Sequence, residues 1–187
     1  NKSQQRFNQF GLTGCLTIYK SVIHDTSFNV TDGGCEDSIN ILNSAGDGVV
    51  MEVINAHSDA IDFDYSSISL KQLDVINAGN DCFDVSGGEY RINYAFLRDC
   101  QDKGISIGEK SNLVAGEVLI GQANIAISAK DLSKVKVDTL NVDGVNICVE
   151  VKRKKQEFGG AHLVIDELKC SSTNDIDNHS KFEGIQQ

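Results

Sequence analysis

A repeat of 22 residues constrains this chain more than any other feature: Ile39, Ile61, Phe83, Ile105, Ile127 and Val149 stand 22 positions apart and occupy equivalent places. A second apolar file runs two residues later through Ile41, Phe63, Val85, Ile107, Ala129 and Val151. Two such files, flanked by polar residues, are the signature of a solenoid, in which each repeat buries its apolar face only by stacking on its neighbours. The phrases Asp59-Ala-Ile-Asp-Phe-Asp64 and Asp81-Cys-Phe-Asp-Val-Ser86 alternate with the period of a strand. A polar bend follows, as in Tyr65-Ser-Ser67 or Gly87-Gly-Glu89, then a second apolar stretch, Ile68 to Ile76 or Tyr90 to Leu97, and a closing turn such as Asn77-Ala-Gly79. Short strands with no helical pattern between them exclude a βαβ unit and a leucine-rich horseshoe, so equivalent strands stack in parallel, coil upon coil.

The expected fold is all-β, a right-handed parallel β-helix of about seven 22-residue coils, the hand following from the crossover preference of parallel strands. Glu36, Ser58, Asn80, Asp102, Asn124 and Asn146 are also 22 apart and all polar, which predicts side chains that hydrogen-bond along the axis. Residues 1–170 read as a single β-helix domain with residues 1–10 as its N-terminal cap, and residues 171–187 as a polar C-terminal tail or cap over an exposed end. Thr31-Asp-Gly-Gly34 shifts the register of a first coil, and Lys152 to Gly160 forms an enlarged bend. The absence of proline suits a stack in which nearly every strand amide donates.

A formal charge of −10 argues against nucleic acid and anionic lipid as partners, since both need a basic face. No apolar run is long enough to span a membrane, and Asn1 to Phe10 lacks the regions of a signal peptide. Beginning at Asn rather than Met, the sequence reads as an excised piece of a larger protein. Cys15, Cys35, Cys82, Cys100, Cys148 and Cys170 show no zinc spacing, and Cys82 and Cys148 share a file but lie three coils apart, too far to bridge. They read as small buried thiols, with one or two disulfides elsewhere as the alternative.

The phrases Ser-Asp-Ala-Ile-Asp-Phe-Asp, Gly-Asn-Asp-Cys-Phe-Asp-Val-Ser-Gly and Asp-Lys-Gly-Ile-Ser-Ile-Gly-Glu resemble the right-handed parallel β-helix repeats of the pectate-lyase-like superfamily, over about residues 35–151. The resemblance implies the fold. It does not imply one chemistry, because that superfamily includes lyases, hydrolases, epimerases, phage tailspikes and non-catalytic surface modules. The wording is most similar to repeats of bacterial secreted or surface proteins, which implies an extracellular or cell-surface location. The Asn-Thr-Asp, Asp-Asp, Gly-His-Gly and Arg-Ile-Lys series of polygalacturonase-like hydrolases is missing, and without proline the Asp-Pro-His-Glu of alginate epimerases is impossible.

With Ile61 and Phe63 inward, Asp62 and Asp64 point outward, about 6.6 Å apart along the strand. Asp84 stacks on Asp62, and Asp59 and Asp81 stack at the bend before the strand, so five carboxylates crowd two coils. Three readings compete: a calcium site of hard oxygen ligands, a carboxylate pair for sugar hydrolysis, or an outer face that is solvated and caps turns. Lys103, stacked on Asp81, is the best base for a lyase, but a neighbouring carboxylate opposes that role and favours an ion pair. Lys130 and Lys152 continue the outward file of Asp64, and Lys152-Arg-Lys-Lys155 is the basic run. Tyr65 and Tyr90 lie near bends as sugar platforms in a chain with no Trp, and the four histidines are dispersed. The expected function is a non-catalytic scaffold or carbohydrate-binding module, with polysaccharide as partner. The alternative is a calcium-dependent polysaccharide lyase or glycoside hydrolase acting through the Asp59–Asp84 patch. A third is oligomerisation through solenoid ends or a sheet face.

Overall fold

Equivalent strands of successive coils lie side by side, in parallel, over the whole of a computed structural model that describes residues 7–186. The first coil contains β1 (Gly14–Tyr19), β2 (Val22–His24) and β3 (Ser27–Thr31), and the second β4 (Asp37–Leu42) and β5 (Ala45–Ala56). The third contains β6 (Asp59–Asp64) and β7 (Ser67–Ala78), and the fourth opens with β8 (Phe83–Ser86). From there the extended backbone runs on through the closing corner, giving β9 (Glu89–Gly108), β10 (Asn112–Lys130) and β11 (Lys134–Lys152), each nearly a coil long. Next come β12 (His162–Lys169), β13 (Thr173–Ile176) and β14 (Lys181–Gln186). The described residues contain no helix.

Leu16, Ile39, Ile61, Phe83, Ile105, Ile127, Val149 and Asn174 pair in sequence across β1, β4, β6, β8, β9, β10, β11 and β13. That makes about eight turns, where the apolar files alone suggest about seven. The additional turn comes from β13 and β14, which pair with β11 and β12 through polar sequence that carries no apolar file. The core is a stack of these files: Ile39, Ile61, Phe83, Ile105, Ile127 and Val149 have no exposed surface. The Phe63 and Phe83 rings meet edge to face with centroids 5.1 Å apart, the arrangement the ring quadrupoles favour.

Two corners recur in every middle coil, and each contains a residue in the left-handed region, joined at the first corner of the fifth and sixth coils by Lys110 and Leu132. Asn43, Tyr65, Gly87, Glu109 and Asp131, with φ of 47, 48, 56, 53 and 54°, form the bend after the first strand. Asn55, Asn77, Asp99, Gln122 and Gly144, with φ of 60, 64, 58, 59 and 68°, form the other. Asn, Asp and Gly bear this conformation at least cost, which explains their recurrence at these two places. At the second corner Asn77 donates to Asn55 and Asn55 to Asp32, each at 2.9 Å. Beyond it Asn146 donates to Asn124 at 3.0 Å and Asn124 to Asp102 at 3.3 Å, a ladder along the axis. Irregularities are local: β9 and β10 shift register between Ala123 and Ile125, and the enlarged bend lets Lys134 pair with His162.

The cysteines correct the expectation of buried thiols. All six are oxidised, as Cys15–Cys35, Cys82–Cys100 and Cys148–Cys170, with Cα atoms 5.3, 5.4 and 6.1 Å apart. Each bond joins the start of one coil to the end of the same coil, in the first, fourth and seventh. Pairing across a coil, rather than along the axis, brings two backbones within disulfide reach without any departure from the repeat.

Candidate functional site

The acidic file sits on the outer face of the sheet built by β4, β6 and β8. Asp62 pairs with Asp84, and Asn40 occupies the same place one coil earlier. At the bend before these strands, Asp37 pairs with Asp59. Asp37 is therefore a further member of the cluster that the sequence reading left out, although it opens Asp37-Ser-Ile-Asn-Ile in the frame of the later phrases. It is 2% exposed, and its Oδ2 is buried without a hydrogen-bond partner.

The carboxylates divide into two groups. Asp59 Oδ1 accepts the Asp81 backbone N–H at 2.9 Å and the Asn80 amide at 2.7 Å, and Asp81 Oδ1 accepts the Lys103 backbone N–H at 3.0 Å. These two cap the turn of the following coil. Asp62, Asp64 and Asp84 point outward, and Asn40 donates to Asp62 Oδ2 at 3.3 Å. Burial, followed by the charges of Asp64, Asp37, Asp84 and Asp59, pushes the Asp62 carboxyl up to about 9. Burial also raises Asp37 to about 6 against a bond from Thr13, and Asp81 to about 6 against the charge of Lys103. Asp59 and Asp64 move in the same direction, again chiefly through burial.

Lys103 is no free base. Its Nζ lies 3.4 Å from Asp81 Oδ1 and pairs more closely with Asp102. Burial lowers its pKa, but the Asp102 bond and the two carboxylate charges outweigh burial and hold it above the usual lysine value. Among the described residues, no three His, Cys, Asp or Glu side chains are grouped so as to hold a metal ion. Asp59 and Asp81 each turn one oxygen to a backbone amide of the following coil rather than to the outer face. His57 is exposed at the edge of the cluster.

The two tyrosines part company. Tyr90 is 4% exposed and packs on Phe63 with centroids 6.0 Å apart, so it is no sugar platform. Its hydroxyl donates to Ser86 O at 3.1 Å and accepts the Ser66 N–H at 3.4 Å. In the preceding coils Ser66 and Ser44 do this work, accepting the N–H of Ser44 and Ser21 at 3.0 and 3.1 Å. Gly88 stands where the next serine of the ladder would be, and a Cβ there would lie 2.6 Å from the Tyr90 hydroxyl. Burial raises the Tyr90 pKa further above its ordinary value.

Tyr65, by contrast, is 62% exposed. It occupies the left-handed corner between Asn43 and Gly87, and a Cβ on Gly87 would come 2.7 Å from its ring, so the ring lies across that glycine. Around it a cavity of about 430 Å³ is lined by Lys20, Asn43, Ser67, Gly87 and Glu89, among others. A second groove, of about 470 Å³, runs along the other sheet past Phe96, Arg98, Leu119 and Lys169. Comparison with family models, with curated proteins and with solved structures gave no match.

Proposed function

We propose that this chain is a non-catalytic β-helix module of a larger secreted or cell-surface protein, of the pectate-lyase-like kind, and that it binds carbohydrate at the Tyr65 corner. One observation carries the reading. Tyr65 holds a left-handed backbone, φ 48°, at a place where Asn43 and Gly87 in the adjacent coils bear the same conformation at lower cost. Its ring lies across Gly87 and turns its other face to solvent, where a ligand can reach it. The flat ring offers the apolar face of a pyranose a stacking surface, while Asn43, Ser67 and Glu89 around the same cavity supply donors and acceptors for hydroxyls. Three disulfides suit an oxidising compartment, in keeping with secretion.

Tyr65→Asn separates ligand from fold. Because Asn tolerates the left-handed corner, the variant is expected to melt no lower than wild type, while calorimetric titration with neutral oligosaccharides shows affinity reduced by about tenfold or more, the worth of one stacked ring. A melting point several degrees lower with binding retained would make Tyr65 a structural residue and end the proposal.

A second reading, sugar hydrolysis by the acidic file, is favoured by the contrast between Asp62, protonated up to about pH 9, and Asp37 and Asp81, which ionise near 6. A carboxyl that keeps its proton beside one that has lost it is the pairing glycosidases use. Release of reducing ends from oligosaccharides, abolished in Asp62→Asn, would support this reading; intact oligosaccharides after prolonged incubation would remove it.

A further inference from the structure

The outer face that is acidic in the second to fourth coils becomes basic farther along the axis. In the file of Asp64 the next residues are Ser86, Gly108, Lys130 and Lys152, in that order. Gly108 leaves space that Lys130 uses: a Cβ there would meet only the Lys130 Cε, at 3.9 Å. Lys130 folds back over it to donate to Ser106 Oγ at 2.6 Å and is 7% exposed. Among the described residues no carboxylate lies within ion-pair distance of its ammonium, although Lys71, Lys103, Lys136, Lys152, Lys155 and Lys181 all have one. A buried ammonium satisfied by one hydroxyl is costly, and a ligand of opposite charge relieves that cost.

Lys130 opens into a cavity of about 200 Å³ that is also lined by Lys103, Lys152, Lys154, Asp102 and Glu150. Both acids are already engaged. Asp102 pairs with Lys103 and accepts the Asn124 amide at 3.3 Å, and Glu150 pairs with Lys152 and accepts the Ser128 hydroxyl at 2.6 Å. Counting Asp81 on Lys103, four ammonium groups meet three carboxylates, which leaves a net positive hollow on a protein of charge −10. We propose that this hollow binds a tetrahedral oxyanion, a phosphate or sulfate group, with Lys130 as its buried contact and Lys152 and Lys154 closing over it. The lysines donate from several directions as point charges, which suits a tetrahedral anion better than the planar fork of a carboxylate. Burial, against the pull of Asp84 and with Lys103 and Lys154 adding to it, lowers the Lys130 pKa, and a bound dianion would restore it. The site lies apart from Tyr65 and stands whether or not that corner binds sugar.

Inorganic phosphate, sulfate and acetate titrated into wild-type protein at low ionic strength and neutral pH test this directly. Phosphate and sulfate are expected to bind saturably, acetate more weakly, and Lys130→Met to weaken phosphate by about tenfold or more, as loss of one charge-assisted contact requires. Lys154, which is exposed, can be replaced without disturbing the core, so an unchanged phosphate affinity in Lys154→Ser overturns the proposal even if Lys130→Met fails to fold. Absence of saturable phosphate and sulfate binding, or acetate binding as tight as phosphate, also overturns it. A phosphorylated or sulfated monosaccharide distinguishes the two sources of the group: tighter binding than the free ion assigns the site to an ester on a larger ligand, weaker binding to the ion itself.

Discussion

Replacing Cys82 and Cys100 together by alanine is expected to cost about 3 kcal/mol. The bond joins residues 18 apart, a loop of the size for which cross-linking removes that much entropy from the unfolded chain. Its position adds to the effect. In a solenoid each coil touches only its neighbours, so opening the fourth of about eight coils weakens the interfaces on both sides. For a chain of this size the loss corresponds to a thermal midpoint lower by roughly 6 to 12 °C. Cys15–Cys35 closes the first coil, where β1, β2 and β3 pair on one side only among the described residues, and its removal should fray that end rather than lower the main transition. A melt of Cys82→Ala/Cys100→Ala that coincides with wild type would show that the bridge adds nothing to the stack.

Stability is expected to fall as pH rises from 5 to 9, the reverse of the usual behaviour of a protein held by ionised carboxylates. Asp37, Asp62 and Asp81 have native pKa values of about 6, 9 and 6, all above the ordinary 3.8. The native state therefore keeps protons that the unfolded chain releases. Their contribution is complete below the ordinary value and is lost as pH passes first 6 and then 9. Groups with lowered values, among them Asp102 and Glu150, contribute in the opposite sense, but only in the acid range below their ordinary values. Asp62→Asn should abolish the upper step: equal to wild type near pH 4, more stable by about 2 kcal/mol at pH 9, given 1.36 kcal/mol for each pKa unit and partial relief by solvent. Urea unfolding at the two pH values measures this. A wild-type stability that is flat or rising between pH 5 and 9 would contradict it.

How much of this was legible in the sequence depends on the direction in which the repeat is followed. Along the axis nearly everything is readable, because a neighbour one coil away is a fixed number of residues away: the Ile39 and Ile41 files, the Asp62–Asp84 pairing, the Asp81–Lys103 contact and the Asn124–Asn146 ladder all follow from that offset. Across a coil no such rule exists. The disulfides run in that direction, and a comparison of Cys82 with Cys148 along the file could not find them, although the spacing of Cys15, Cys82 and Cys148 by about three periods marks one cross-linked coil in three. Tyr90 illustrates another limit. Beside a bend it reads as exposed, and only the missing side chain of Gly88 explains why its hydroxyl turns inward to continue the serine ladder. Lys130 likewise reads as an outward lysine until Gly108, one coil earlier, gives it room to fold back. In the last coil, β13 and β14 form from polar sequence because the backbone edges of β11 and β12 supply the pairing that apolar files supply elsewhere.

The most direct measurement is a map of backbone amide shifts, recorded by NMR as a neutral oligosaccharide is titrated into the protein. Shifts confined to Asn43, Tyr65, Ser67, Gly87 and Glu89, and absent in Tyr65→Asn, are the predicted result. Shifts centred on Phe96, Arg98 and Lys169 in the other groove, or no shifts with any neutral oligosaccharide, would contradict the assignment of the Tyr65 corner as the binding site.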